Sequence, residues 1–445
     1  MPTPHDSGGV ALDPQTRPTR TPVPRRPAAR RPLAILAIGA LALAGLAMPP
    51  RGWEQRALAA AGPALRISVT GGPTPAGTLR LAILSAVREQ VPGARDAEVT
   101  LLSTTPSLAE LPASSEATVE ASVSIAPPAE PPTTLTIPVT FTNVILPWSD
   151  AQVLLVSNSP ETLPFGKVLF SGALTASQTV RLLYHHQNGS ATRHMFITVT
   201  LSNPARSPVT VWVTGAQSGQ AGDELALGHE AARAFLEAYW RHAGFLLEIP
   251  ANTTLPLLVH DLAPQHVGSG LAQVQLIDGQ RLNLQVVARL EGEMEPPAAS
   301  YAPDFDKVHQ RGAFQRPLIV RSSTYTVGGA VATMMLGASG DVLQESETRE
   351  SLQGNYGVVY SFDVQVANPT PDAATVALVM HADGGQARGT FIVNDQLIDG
   401  PTVQPNAPRA LVTLRMGAGT RRTLHVVTMP ESGSNYPVRL TLGPP

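Results

Sequence analysis

No cysteine occurs among the 445 residues of the chain. Because thiolates ligate iron–sulfur clusters, type 1 copper and many structural zinc ions, thiolate metal sites are excluded. A disulfide scaffold, a bacterial lipoprotein and an enzyme with a cysteine nucleophile are excluded for the same reason. The fold must therefore be stabilised by ordinary hydrophobic cores.

Aromatic and charged side chains are also scarce, at 5% and 15% of the residues, whereas the chain has 37 Gly and 42 Pro. This composition favours many short strands and turns over long, solvated helices. A chain of this length exceeds what one ordinary core supports, so two or three domains are expected.

Excess positive charge is confined to the N-terminal end. Residues 1–59 carry eight Arg and three acidic residues, and the remainder carries 23 basic and 31 acidic residues. A surface that binds nucleic acid needs clustered positive charge to displace counterions from phosphate. The acidic body of the chain therefore argues against a nucleic-acid partner.

An apolar run of 16 residues, 33–48 (LAILAIGALALAGLAM), follows four arginines at positions 25, 26, 30 and 31. A basic region followed by a short apolar core indicates an export signal. A helix needs about 20 apolar residues to span a bilayer, so a retained anchor is the alternative to a cleaved signal. Residues 1–61 are expected to be a disordered basic segment plus this signal peptide or anchor helix. The protein is predicted to be extracytoplasmic, and any membrane contact is expected through this segment alone.

Two stretches share one pattern: residues 197–213 (ITVTLSNPARSPVTVWV) and 362–380 (FDVQVANPTPDAATVALVM). In each, an alternating strand ends in Asn-Pro, a few polar residues follow, and a second Val-rich strand begins. Proline cannot donate to a sheet ladder, so Pro204 and Pro369 end their strands. The unit resembles the middle of the Ig-like and fibronectin-like sandwich modules of secreted bacterial proteins. This resemblance implies β-sandwich domains.

Strand and turn signals extend this interpretation to a mainly β chain of two tandem antiparallel β-sandwich domains, the first with one inserted helix. Residues 229–243 carry an apolar stripe at helical spacing, and this helix is expected to cap one open end of the first sandwich. The expected parts are a small α/β segment (62–125), a Pro-rich linker (126–134), a first sandwich (135–290), an acidic and Pro-rich linker (291–310) and a second sandwich (311–445).

Histidines form the densest polar cluster. His185 and His186 end one predicted strand, and His194 lies across a proposed hairpin whose turn contains Asn188-Gly189. Opposite side chains on paired strands are close enough to share a copper or zinc ion. Consecutive residues of a regular strand point to opposite faces, however, so His185 and His186 can both bind one metal only across a bulge. Histidines bonded or solvated near a hairpin are the alternative.

Carboxylates in the second linker are a candidate calcium site, because hard cations take oxygen ligands. The Asp-Phe-Asp at 304–306 does not continue into a calcium-loop motif, so a solvated acidic linker is the alternative. The candidate ligands are Glu291, Glu293, Glu295, Asp304 and Asp306.

Aromatic side chains are the candidate ligand-binding residues, because sugar-binding sandwiches use exposed rings. Trp212 is the first candidate, since it alternates away from Val211 and Val213. It is alternatively expected beneath the helix, packed on Phe235 and Tyr239. Tyr184 and Tyr239 complete this set.

Enzyme motifs are incomplete. His229-Glu230 lacks the second histidine of the zinc-protease motif, because position 233 is Arg. The sequence 337–341 (GASGD) misses the last glycine of a nucleophile elbow, and there is no phosphate-binding or dinucleotide-binding loop. No catalytic residue and no cofactor is therefore predicted.

These observations predict an exported, noncatalytic protein of the cell envelope or the exterior, acting in binding, adhesion or structural support. Its partner is expected to be an envelope protein, a wall polymer or a surface polysaccharide, engaged by loops and strand edges. Two alternatives are a carbohydrate-active or metal-dependent enzyme with its site in the first sandwich, and a periplasmic copper- or zinc-binding protein.

Overall fold

The computed structural model describes residues 63–127, 130–219, 223–293, 308–345 and 347–445. The predicted signal or anchor segment lies outside these residues, as do parts of both predicted linkers. Within the described ranges, neither helix is long and apolar enough to cross a membrane.

The described part of the chain is mainly β, as predicted, and contains four sheets and two α-helices. Its helices are α1 (Ala76–Gln90) and α2 (Glu224–Trp240). The first fourteen strands, in chain order, are β1 (Leu65–Thr70), β2 (Glu98–Thr105), β3 (Glu116–Ala126), β4 (Thr133–Asn143), β5 (Val153–Ser157), β6 (Thr162–Leu163), β7 (Lys167–Thr175), β8 (Thr179–Asn188), β9 (Met195–Asn203), β10 (Val209–Gln217), β11 (Gly244–Ile249), β12 (Thr253–Leu262), β13 (Val267–Asp278) and β14 (Arg281–Leu290).

The remaining strands complete the first sandwich and build the second. They are β15 (Arg311–Gln315), β16 (Leu318–Thr326), β17 (Ala332–Leu336), β18 (Val359–Ala367), β19 (Ala374–Ala382), β20 (Thr390–Val393), β21 (Gln396–Asp399), β22 (Arg409–Met416), β23 (Arg421–Thr428) and β24 (Val438–Gly443).

An eleven-stranded sheet, called here the large sheet, forms one layer of the first sandwich. Its order is β15-β5-β8-β13-β10-β11-β1-β4-β3-β2, with β6 beside β8. A four-stranded sheet, β12-β9-β14-β7, is the facing layer. Apolar residues from both layers, among them Val211, Val213 and Leu284, form one continuous core with the apolar face of α1. The predicted α/β segment therefore extends the first sandwich, because β1 pairs with both β4 and β11.

The second sandwich pairs the sheets β16-β18-β23-β20-β21 and β17-β24-β19-β22. Most neighbouring strands are antiparallel, but β1–β4, β5–β8, β6–β8 and β16–β18 are parallel. The strand β15 lies within the range predicted for the second sandwich, yet it pairs with β5 at the edge of the large sheet. The two sandwiches thus meet along this edge.

The two Asn-Pro units adopt the same local structure. In the first, Asn203 Nδ2 donates to the carbonyl oxygens of Ser207, Ile249 and Pro250. In the second, Asn368 Nδ2 donates to the carbonyl oxygens of Asp372, Met416 and Gly417. In both units one acceptor lies four residues after the asparagine, and the other two are consecutive residues of a distant segment. Both units cross between layers, since β9 and β10 lie in different sheets, as do β18 and β19. A buried asparagine closes each crossing and satisfies carbonyls that leave the ladders.

The helix α2 begins earlier than predicted and covers a face of the large sheet. Asp223 caps its N-terminus by accepting a hydrogen bond from the backbone N–H of Ala226. Its Phe235 and Leu236 pack with Leu183 and Leu271, on the face opposite the first core, and in the same cluster as the second sandwich. The expected role as a cap on an open end is therefore wrong, because the helix is an intermediate layer between the two sandwiches.

The predicted hairpin around Asn188-Gly189 is also wrong. The strand β8 pairs with β5, β6 and β13 in the large sheet, whereas β9 pairs with β12 and β14 in the facing sheet. Asn188 donates to the carbonyls of Arg193, Leu262 and Ala263, so it closes another crossing between layers. Alternation of apolar residues defines a strand but does not determine which sheet it joins.

Candidate functional site

A groove of about 730 Å³ lies where α1 and α2 meet the ends of β10 and β12. Its walls combine apolar side chains, including Leu81, Leu84 and Leu258, with charged side chains from both helices. Cavities of this size that mix apolar walls with a few polar groups are typical of ligand sites. We therefore take this groove as the candidate functional site.

Arg88 is the unusual residue of the groove. Its side chain lines the groove, yet the residue is only 4% exposed. Its Nε atom is buried and has no hydrogen-bond partner, and no ion pair joins it to another described residue. Burial lowers the pKa of the guanidinium to about 10, so it still carries its charge at neutral pH. A buried positive charge without a partner is costly, and an anion supplied from outside would compensate it.

The sequence places Arg88 there because α1 is amphipathic. Positions 84, 88 and 91 fall on one side of the helix at helical spacing, and Leu84 and Val91 are apolar. An arginine in that stripe is buried because this side of the helix packs against the rest of the protein. This was the available signal, and sequence reasoning missed it by following only the apolar positions.

Three other charged groups of the groove have partners within the protein. Glu230 accepts a hydrogen bond from the backbone N–H of Gly219 at 2.9 Å. Glu237 pairs with Arg241 at 3.0 Å. Arg80 donates to the carbonyl of Leu101 at 3.2 Å. The Nε atom of Arg233 is, like that of Arg88, buried without a hydrogen-bond partner, but it lies 3.7 Å from Oδ2 of Asp399. Arg88 has no such carboxylate among the described residues, and Glu98, which also lines the groove, is exposed.

The floor of the groove contains a buried histidine. His260 Nε2 lies 3.0 Å from the carbonyl oxygen of Gly219, so Nε2 carries the proton and donates there. Its Nδ1 atom lies 3.4 Å from the Tyr184 hydroxyl, which donates to it. Desolvation lowers the pKa of His260, which keeps the imidazole neutral. The floor is thus a fixed polar network without a net charge of its own.

A second buried arginine shows what a satisfied guanidinium looks like in this fold. Arg181 is 1% exposed, and it donates to the Gln273 side chain and to the carbonyls of Pro317 and Gly357. Its guanidinium also lies 5.0 Å from the ring centre of Tyr239. It fastens the large sheet to the second sandwich, whereas Arg88 has no such set of acceptors.

The predicted aromatic platforms are not available to solvent. Trp212 is fully buried, on the face of β10 opposite Val211 and Val213. A Cβ atom at Gly244 would lie 2.5 Å from its Cε2 atom, so the indole packs directly on the β11 backbone. Tyr184 is buried beneath the groove floor, and the buried Tyr239 donates its hydroxyl hydrogen to Asp150. None of the three forms an exposed sugar-binding ring, because all fill interior positions, and for Trp212 the buried alternative is the one observed.

The structure does not bring the three predicted histidines to one point. His186 faces the first core and is hydrogen-bonded to Ser157 and to the carbonyl of Pro160, each at 3.0 Å. His194 lies at the surface and pairs with Asp261 at 2.8 Å. His185 points to the opposite face from His186, as regular alternation requires. The predicted ligand set is therefore wrong, since its hairpin does not form.

The predicted calcium ligands fall only in part within the described residues. Glu291 is exposed, and Glu293 forms an ion pair with Arg193 at 3.1 Å. Glu295, Asp304 and Asp306 lie outside the described residues. Calcium binding in this linker stays a prediction.

Comparisons with known proteins assign no family. No known protein family and no curated protein matches the chain. Among solved structures, tripeptidyl peptidase 2 is 9% identical over 74% of this chain, with a TM-score of 0.17, and this chain spans about a quarter (26%) of its length. Lac15 from a marine microbial metagenome is 11% identical over 74% of this chain and 70% of its own, with a TM-score of 0.12.

A third similar structure is the tandem CBM22-1–CBM22-2 domain of Xyn10C from Paenibacillus barcinonensis. It is 9% identical over 64% of this chain and 91% of its own, with a TM-score of 0.14. TM-scores this low mean that the chains do not superpose as wholes, so these similarities carry no argument about activity.

Proposed function

We propose that the protein is an exported, noncatalytic binding protein of the cell envelope, and that its groove holds an anionic glycan. The observation that carries this proposal is Arg88 in the groove wall, whose side chain is almost completely buried and whose Nε atom has no hydrogen-bond partner among the described residues. Carboxylate and phosphate are two of the acidic groups that give glycans their charge, and a guanidinium binds either through two parallel hydrogen bonds.

The composition of the walls supports a saccharide rather than a bare anion. Leu81, Leu84 and Leu258 offer apolar surface to the C–H faces of a sugar ring, while His260 and its partners form a polar floor. A volume of about 730 Å³ lies in the range of sites that enclose a small ligand or a few units of a chain. The groove thus combines one group that selects for negative charge with apolar walls and a volume that suit a saccharide.

The affinity of full-length protein for polysaccharides in a native gel tests the proposal. The panel is polygalacturonate (carboxylate), poly(glycerol phosphate) (phosphate) and neutral dextran. We expect at least one anionic polymer to retard the protein and dextran to leave its migration unchanged. The two anionic arms separate an acidic polysaccharide from a phosphate-bearing wall polymer. Equal migration in all three gels, or retardation by dextran alone, would overturn the proposal.

A further inference from the structure

A second polar cluster lies away from the groove, in a cavity of about 350 Å³ between the large sheet, the start of α2 and the second sandwich. We propose that Glu161, His185 and Glu224 in this cavity bind a divalent transition-metal ion of the zinc class. One ligand atom from each of these three side chains lies within 4.8 Å of the other two. The proposal does not depend on glycan binding in the groove.

Three separate elements supply these side chains. His185 comes from β8, Glu161 from the segment just before β6, and Glu224 is the first residue of α2. The fold therefore converges an imidazole and two carboxylates that lie 24 and 39 positions apart along the chain from His185. Such convergence is what a metal site requires and what an exposed acidic run does not provide.

His185 is the independent observation that points to a ligand. It is 3% exposed and lines the cavity, and its Nδ1 atom is buried without a hydrogen-bond partner among the described residues. An unsatisfied buried ring nitrogen loses its hydrogen bonds to water without replacement, so native structures rarely leave one. A metal ion in the cavity would bind the His185 imidazole through one of its ring nitrogens.

A neighbouring histidine, His309, contacts the carboxylate of Glu161. His309 Nε2 lies 2.9 Å from Oε2 of Glu161, and both residues line the same cavity. Contacts of this kind orient the ligands of metal sites. We assign His309 as a positioning residue for Glu161.

The donor set determines the metal class. One imidazole and two carboxylates suit zinc and its borderline neighbours, and such three-residue sites keep a position open for water. Tetrahedral zinc ligands stand about 3.3 Å apart, so binding draws the side chains together from their present spacing. Glu224 is exposed and begins a helix, so its side chain is free to make this movement.

Zinc titration of the full-length protein, stripped with a chelator, tests the assignment by calorimetry. We expect one equivalent to bind to the unaltered protein, and Glu224→Gln to weaken binding at least tenfold. Glu224 is exposed, so this variant should fold normally. Glu120→Gln, which changes an exposed carboxylate on β3, is the matched control and should bind like the unaltered protein.

Cobalt provides a second readout that reports the ligands directly. Co²⁺ in a site of low coordination number gives intense visible absorption, and we expect Glu161→Gln and Glu224→Gln to reduce it while Glu120→Gln retains it. Less than about 0.1 equivalent of bound zinc, or unchanged binding by Glu224→Gln, would overturn the proposal.

Discussion

The Nδ1 atom of His229 lies 2.8 Å from Oε2 of Glu431, and both side chains are almost completely buried. On its other side, Nε2 of His229 lies 2.9 Å from Asp399. The imidazole thus connects α2 to the second sandwich through two carboxylates. Glu431 also accepts a hydrogen bond from the backbone N–H of Thr390, which fixes its orientation.

Replacing this histidine should destabilise the protein. His229→Leu leaves Glu431 buried with one partner fewer, and we expect a loss of about 2–4 kcal/mol in the free energy of unfolding. Asp399→Asn should cost less, about 1 kcal/mol or below, because that side chain is about half exposed. Urea unfolding followed by tryptophan fluorescence measures both. Equal losses for the two variants would contradict this account.

The two Asn-Pro crossings should be energetically equivalent. Asn203→Ala removes four hydrogen bonds of a buried amide, and Asn368→Ala removes five. Each substitution should lower the free energy of unfolding by about 2–4 kcal/mol. Asn283→Ala, which loses one contact with Arg281 at the surface, is the control and should change stability by less than about 0.5 kcal/mol. A negligible loss of stability for either variant would contradict the prediction that both asparagines stabilise the fold.

Stability should depend on pH through Glu89. Burial, with a contribution from the negative charge of Glu248, raises the pKa of Glu89 from 4.5 to about 7. Between these values the folded state keeps a proton that the unfolded state has lost, so the free energy of unfolding falls as pH rises from about 4.5 to 7. Below that window both states are protonated, and above it both are ionised.

Glu89→Gln should remove this part of the pH dependence. The variant should be more stable than the unaltered protein at pH 8, by on the order of 1 kcal/mol after solvent screening is allowed for, and similar at pH 4. Urea unfolding at a series of pH values is the measurement. Parallel pH profiles for the two proteins would contradict the assignment.

Export should depend on the apolar run at the N-terminal end. Residues 1–61, fused to a phosphatase that is active only outside the cytoplasm, should make the reporter active. Leu41→Asp combined with Leu43→Asp should abolish that activity, because charges interrupt the apolar core of a signal. Arg17→Gln combined with Arg20→Gln, upstream of the run, is the control. An active reporter with both aspartates present would count against an export role for this segment.

Much of the fold was accessible from sequence, and the reasons are local. Residues 197–203 alternate strictly, and β9 forms there; Asn-Pro ends both predicted strands. The layer that each strand joins was not accessible, because it depends on distant pairing such as β9 with β14. The prediction of a hairpin was wrong for this reason. The predicted histidine cluster was wrong as well, because it depended on that hairpin.

The candidate sites were harder to predict, since their residues meet only after folding. His185 was identified, but its carboxylate neighbours Glu161 and Glu224 come from other elements. The sequence contained a signal for Arg88, because this charged residue occupies a position in the apolar stripe of α1. For Trp212, alternation gave the correct face but could not decide between an exposed ring and the buried position that the structure shows.

The most direct test of the central claim is calorimetric titration of the full-length protein with whichever anionic polymer retards it, in oligomeric form. The proposed account predicts that Arg88→Gln weakens binding at least tenfold, because the guanidinium supplies the charge that selects the ligand. Arg66→Gln, which changes an exposed arginine outside the groove, should bind like the unaltered protein. Equal affinities for the unaltered protein and Arg88→Gln would contradict the claim that this groove is the binding site.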